Sequence, residues 1–193
     1  AAAAAKLGIS SCLVLRGKPE EIPDGNYLLD LLLGAKIKFV TPEEYRFQMP
    51  VIFEETKKEL ESQGFRPYII PEGASNGIGT FGYVQAMKEI AQQEKELGLT
   101  FNKVVVAVGS GGTYGGLLLG SRLLQEEKEI YGINVCDDAE YFKNRILKTL
   151  AEAEAYLEEK IHAQKENIRI LDGYVGQVYG ISSPEQLETI KLV

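Results

Sequence analysis

The sequence predicts an α/β fold, a mainly parallel twisted sheet with helices on both faces. Three observations carry this. Short apolar runs rich in β-branched residues recur at Cys12–Leu15, Lys36–Val40, Pro67–Ile70, Val104–Val108, Ile130–Val135 and Ile168–Leu171, spaced as the strands of βα units are. Helical patterns with recognisable caps fill the intervals. The run Val-Val-Val-Ala-Val at 104–108 is too apolar for a strand with one wet face, which argues for parallel strands covered on both sides.

The elements follow in order. Five alanines, a lysine and a leucine before Gly8 read as the last turns of a helix with glycine at C′. Tyr27–Leu33 is helical and stops at Gly34. Thr41-Pro42-Glu43-Glu44 is a capping box with proline at its first helical position; Pro50 must restart or kink that helix, which runs on as Val51–Gln63 to Gly64. Val84, Met87, Ile90, Ala91 and Leu97 lie on one helical stripe closed by Gly98. A helix from Tyr114 to Leu124 follows the strand at 104–108, and Phe142, Ile146, Leu150, Ala153, Leu157 and Ile161 mark a long amphipathic helix from about Glu140 to His162. Ser183-Pro184-Glu185-Gln186 is a second capping box.

Composition excludes whole classes. With 193 residues, 45% hydrophobic and 25% charged, the chain can build one substantial core or two small lobes, and is not disordered, coiled-coil or collagenous. A net charge of −7 is the wrong balance for a phosphate-backbone binder, so no nucleic-acid partner is expected. Cys12 and Cys136, 124 residues apart, offer neither a disulfide framework nor a CxxC metal pair. The single histidine, His162, reads as a solvated helix residue, so a Ser-His-Asp triad or a His-rich metal site has almost nothing to be built from; no metal is expected. No apolar run reaches the length of a membrane span, and the opening residues have no signal-peptide pattern. A reducing, cytoplasmic setting is expected.

In a parallel α/β sheet the loops after the strands share one edge, and ligands bind there. The segments 73–82, 109–116 and 173–180 hold four, five and three of the twenty glycines. The sharpest is Gly109-Ser110-Gly111-Gly112-Thr113, between a buried strand and a helix. Its N–H groups and the positive end of the helix can enclose a phosphate, with the Ser110 and Thr113 hydroxyls adding donors. No Lys-Ser or Lys-Thr follows, so a P-loop is excluded. A dinucleotide-binding oxidoreductase domain stays open: Gly109-x-Gly111-x-x-x-Gly115 approximates the fingerprint, and Asp137 stands 28 residues after Gly109. A non-catalytic phosphate-binding module stays open too.

Four stretches, from Arg16-Gly17 to Gly25-Asn26-Tyr27-Leu28-Leu29-Asp30, Ile70-Pro71-Glu72-Gly73-Ala74-Ser75-Asn76, Gly109–Thr113, and Gly173-Tyr174-Val175-Gly176-Gln177-Val178-Tyr179-Gly180, occur in an order and spacing that resembles the D-cysteine desulfhydrase and 1-aminocyclopropane-1-carboxylate deaminase family. These are pyridoxal-phosphate enzymes of the tryptophan synthase β-like fold, and the resemblance spans essentially the whole chain. It implies that Gly109, Ser110, Gly111, Gly112 and Thr113 hold the phosphate of pyridoxal phosphate. It also implies that Ser75 and Asn76 face the cofactor and the substrate carboxylate, and that Tyr179 stands beside the pyridine ring as a proton-transfer or stacking group. Residues 1–50 would belong to the smaller lobe and 51–193 to the larger, cofactor-binding lobe. The partners implied are a small amino-acid substrate and a second copy in a homodimer.

The departures are equally specific. Members of that family carry a Schiff-base lysine in a Gly-Asn-Lys segment and then a Ser-Asn-His segment, both before the opening helix, and they continue past Val193 into a part that bears a second active-site tyrosine and the partner of the pyridine nitrogen. None of the fifteen lysines here lies in that context, so the chain reads as part of a longer enzyme, with apolar surface left bare. Lys18, after the first strand, is the first lysine to test for the missing role.

Overall fold

The structure, a computed structural model, describes residues 1–126, 128–158, 160–176 and 181–192. The chain forms two compact units, residues 1–69 and 70–193.

In the first unit, α1 (Ala2–Leu7) ends on Gly8 in the left-handed conformation at φ 67°. Strand β1 (Cys12–Arg16) pairs in parallel with β2 (Lys36–Val40), Cys12 opposite Lys36 and Arg16 opposite Val40, joined through α2 (Gly25–Leu32). The Thr41 capping box forms with both of its halves and opens α3 (Pro42–Phe47). Pro50 restarts the helix, as α4 (Met49–Ser62), with Gln48 at φ −122° and ψ 2° as the break, because proline has no N–H for the preceding turn and its ring crowds the carbonyl four residues back, which is tolerated only in a first turn. Lys38 Nζ donates to Thr56 Oγ1 at 3.0 Å, and Lys36 Nζ lies 5.1 Å over the Phe65 ring, which ties α4 and its exit to β2 within this unit. Leu28, Leu29, Leu31 and Leu32 of α2 are exposed.

The second unit starts with a 3-10 turn at Glu72–Ala74, followed by α5 (Gly77–Leu97), β3 (Lys103–Val108), α6 (Gly112–Leu123), β4 (Glu129–Asn134), α7 (Ala139–Glu154), β5 (Arg169–Leu171) and α8 (Pro184–Lys191). Strand order is β3-β4-β5, all parallel, with Val108 opposite Asn134 and Ile133 opposite Leu171. Tyr114, Phe142, Met87 and Ile146 are fully buried among Val108, Leu119, Ile130 and Ile170. The Tyr114 hydroxyl donates to the Ile130 carbonyl at 3.1 Å and accepts the Arg169 N–H at 2.8 Å, fastening α6 to two strands.

Four expectations differ from the structure. Burial along β3 alternates, and Val105 is 66% exposed and Leu171 41%. Both crossovers step the same way along the sheet, so their common right-handedness puts α6 and α7 on one face, and the other face of this sheet is open among the described residues. Residues 65–70 form no strand: Pro67 offers no N–H, and Tyr68 and Ile70 are exposed. Helix α7 ends at Glu154, well before His162, because the Glu154 carboxylate accepts the N–H groups of Ile161 and His162 at 3.2 and 2.8 Å. Leu157 and Ile161 still pack on the core, so the apolar stripe was real although the helix under it was not, and His162 is an exposed residue with φ 47° outside any helix.

Helix α5 lies in a groove of α6 lined by glycines four residues apart. A Cβ at Gly112 would stand 2.6 Å from Ser75 Oγ, at Gly116 2.4 Å from both the Thr80 carbonyl oxygen and Tyr83 Cβ, and at Gly120 2.7 Å from Met87 Cβ. The far end of α5 is held by a buried ion pair. Lys128 Nζ reaches the two Glu94 oxygens at 2.9 and 2.7 Å and the Phe101 carbonyl at 3.1 Å, and the Phe101 N–H donates to Glu94.

A helix-interior Gly→Ala gains about 1 kcal/mol of propensity, whereas forcing a methyl into packed backbone costs about 1–3 kcal/mol or more. Gly116→Ala therefore lowers the urea-unfolding free energy, while Gly115→Ala, whose methyl would meet only Leu150 and Ile146 at 3.9–4.0 Å, leaves it unchanged or raises it by about 0.5–1 kcal/mol. The Lys128 ammonium holds the Glu94 carboxyl below the usual carboxylate range. Its stabilisation is thus complete above the unfolded value, about pH 4.3, and is lost as pH falls through the lower folded value. Glu94→Gln is expected to be less stable than the parent at neutral pH and to show a flatter loss of melting temperature on acidification.

Candidate functional site

The C-terminal edge of β3 carries the glycine loop. Gly109 is exposed, Ser110 and Thr113 are half-buried, and Gly111 and Gly112 are buried. Helix α6 begins at Gly112, two residues earlier than its apolar pattern indicated, so Gly112 and Thr113 form its first turn. First-turn N–H groups have no acceptor within a helix. Here the Gly112 N–H donates to Ser75 Oγ at 3.0 Å, and among the described residues those of Gly111, Thr113 and Tyr114 meet no acceptor. Gly111 stands at φ 90°, and a Cβ on it would lie 3.0 Å from Ile146 Cγ1, so glycine is required there both for conformation and for space.

The segment before α5 packs against this loop. Ser75 Oγ donates to Ser110 Oγ at 2.7 Å. A Cβ at Gly73 would stand 2.3 Å from Ser110 Oγ, so Gly73, until now only one of the glycines counted in 73–82, joins the site; its φ of 65° shows why the turn needs glycine. Asn76 caps α5, its Oδ1 accepting the Gly79 N–H at 2.8 Å, and the Gly77 N–H is held by Glu152 at 3.1 Å. The structure thus brings Ser75 together with Ser110 and Gly112 and leaves Asn76 with its amide nitrogen as the remaining donor. Tyr179 lies outside the described residues. Lys18 is an exposed residue of the first unit.

Next along the edge, Asn134 is only 2% exposed. Its Nδ2 donates to the Asp137 carbonyl and to Asp172 Oδ1, both at 2.7 Å, and its Oδ1 is, among the described residues, a buried acceptor without a partner. A polar residue closing a buried strand opposite Val108 was the signal for it. Burial, and then Asp137, push the neighbouring Cys136 thiol above its ordinary value. Among the described residues, acidic groups and one unpaired acceptor, Asn134 Oδ1, therefore lie at the β4–β5 side, and neutral donors gather at Ser110–Thr113.

The family model for pyridoxal-phosphate-dependent enzymes matches residues 1–193. The chain belongs to that family. It is 37% identical, over its whole length, to a D-cysteine desulfhydrase of Serratia proteamaculans, and covers 58% of that protein. It is 39% identical over its whole length to a Pyrococcus abyssi protein provisionally named a 1-aminocyclopropane-1-carboxylate deaminase, covering 57% of it. The crystal structure of an ACC deaminase homologue superposes with a TM-score of 0.81 at 36% identity over 99% of this chain and 56% of that one. The chain thus spans a little over half the length of these relatives. The family's cofactor is pyridoxal phosphate, and the donor set at 110–113 has the chemistry its phosphate needs: a hydroxyl, open first-turn N–H groups and the positive end of a twelve-residue helix. The dinucleotide-binding and non-catalytic alternatives find no support in these matches.

Proposed function

We propose that residues 109–113 hold the phosphate of pyridoxal phosphate, and that the protein of which this fold is a part breaks down a small amino acid, by D-cysteine desulfhydration or 1-aminocyclopropane-1-carboxylate deamination, giving ammonia and a 2-oxo acid. The observation that carries the proposal is the cluster of open N–H and hydroxyl donors at the start of α6, in a chain of this family. Once bound, the cofactor supplies an electron sink for a carbanion on the substrate. The chain's own contributions are those of binding and placement. Gly111 turns the backbone so that the N–H groups of the first turn face a ligand, Ser110 and Thr113 offer hydroxyl donors, and Gly73 leaves room for Ser110. Asn76, with Oδ1 committed to its cap, has Nδ2 to offer a carboxylate. Tyr179 stays a candidate proton-transfer or stacking group on the resemblance alone. The same reading includes the larger lobe as the cofactor-binding one, a homodimer, and a cytoplasmic setting, the last supported by the free thiols Cys12 and Cys136.

The test is equilibrium binding of pyridoxal phosphate and of pyridoxal to the 193-residue chain, followed by cofactor absorbance. Pyridoxal phosphate is expected to bind more tightly than pyridoxal. Gly111→Ala is expected to weaken the phosphorylated ligand about tenfold, as ~1.4 kcal/mol of strain at that position requires. Equal affinity for the two ligands, or a Gly111→Ala variant that binds as the parent does, would remove the phosphate assignment.

A further inference from the structure

The family resemblance implies that Ser75 faces the cofactor and the substrate carboxylate. The geometry points to a different task, and we infer that Ser75 is a positioning residue for the phosphate, acting through Ser110. The inference rests on the assignment of residues 109–113 to a phosphate monoester and adds to it a residue from another segment of the chain.

Three contacts define the arrangement. The Gly112 N–H, a first-turn donor of α6, donates to Ser75 Oγ at 3.0 Å. Ser75 has one proton to give, and Ser110 Oγ at 2.7 Å takes it, the Gly73 carbonyl at 3.5 Å being the distant second acceptor. Ser110 is then an acceptor in that bond, and among the described residues its own O–H has no acceptor. The hydrogen bonds therefore run in one direction, from the helix N-terminus through Ser75 to a single unspent donor on Ser110. Bonds in such a chain polarise one another, each oxygen that accepts a proton becoming a better donor. A hydroxyl alone could turn its proton either way; here the Gly112 N–H occupies one lone pair of Ser75 Oγ, and the nearest acceptor for the Ser75 proton is Ser110 Oγ. The terminal donor suits an oxyanion and not a cation. With the Ser75 oxygen and proton both committed, no free valence is directed at a substrate carboxylate.

Close packing fixes the arrangement. The Cβ that Gly73 lacks would displace Ser110 Oγ, and the one that Gly112 lacks would displace Ser75 Oγ. The hydroxyls sit in space made by two glycines, one from each segment.

The experiment is a double-mutant cycle on the 193-residue chain with Ser75→Ala, Ser110→Ala and both, measuring dissociation constants for inorganic phosphate, pyridoxal phosphate and pyridoxal. Ser75→Ala is expected to weaken inorganic phosphate and pyridoxal phosphate about five- to tenfold and to leave pyridoxal within twofold. Ser110→Ala is expected to do the same, and the double variant is expected to be no worse than Ser110→Ala, because one effect passes through the other. Thermal melts without ligand separate a general loss of structure, which would lower affinity for all three ligands together and overturn the inference. Full additivity of the two substitutions would overturn it, as would tighter phosphate binding by Ser75→Ala, since that would make Ser75 a plug on the Gly112 N–H. If the unsubstituted chain shows no preference for phosphorylated ligand, the phosphate assignment falls and this inference with it; if the preference stands and Ser75→Ala keeps it, only this inference falls.

Discussion

Two helix backbones close enough to exclude any side chain between them set the geometry of the candidate site. Along Gly112, Gly116 and Gly120, α6 presents a bare groove, and α5 lies in it so that Thr80, Tyr83, Val84 and Met87 touch backbone. The N-terminal ends of the two helices are thereby placed side by side. Ser75, immediately before the Asn76 cap of α5, meets Gly112, the first residue of α6. The third helix closes the arrangement: Glu152 of α7 receives the Gly77 N–H, and Ile146 limits the space at Gly111. Ser110, Gly111 and Gly112 are thus positioned by contacts that lead back to the packed helices.

The electrostatics are local. A chain with net charge −7 repels a phosphate at long range, but charges farther than the Debye length, about 8 Å in physiological salt, are largely screened. At the proposed site the contact shell would decide binding, with hydroxyls and amides replacing water and the helix end adding partial positive charge. The acidic groups of the same edge, Asp137 and Asp172, lie on the β4–β5 side around Asn134. The carboxylates of this edge are thus set apart from the donors at the start of α6.

Much of this was legible in the sequence. The two capping boxes at Thr41 and Ser183, the left-handed glycines at 8 and 98, the restart at Pro50 and the strand–glycine–helix order at 104–124 depend on contacts within a few residues, and short-range rules recover them. Features set by distant partners were not legible. The end of α7 is decided by Glu154 capturing N–H groups seven and eight residues on, and an apolar stripe that continues into irregular chain looks the same as one that continues in a helix. The open face of β3 depends on what packs on it, which five apolar residues in a row cannot reveal. The glycine count was informative for a mixed reason: Gly73 and Gly111 serve the loop, whereas Gly116 and Gly120 serve the helix contact behind it, and composition does not separate the two. The meeting of Ser75 with Ser110, 35 residues apart, is a product of that helix contact.

The most direct test of the central claim, that the α5–α6 contact holds a donor cluster ready for a phosphate at the start of α6, is a titration of the isotopically labelled chain with inorganic phosphate, followed residue by residue through the backbone amide resonances. The account predicts saturable shifts concentrated at Gly111, Gly112, Thr113 and Tyr114, with the amides of Gly73 and Ser75 moving in step and those of β4 and β5 nearly still. Shifts spread over the surface, or centred on lysines far from α6, would contradict it.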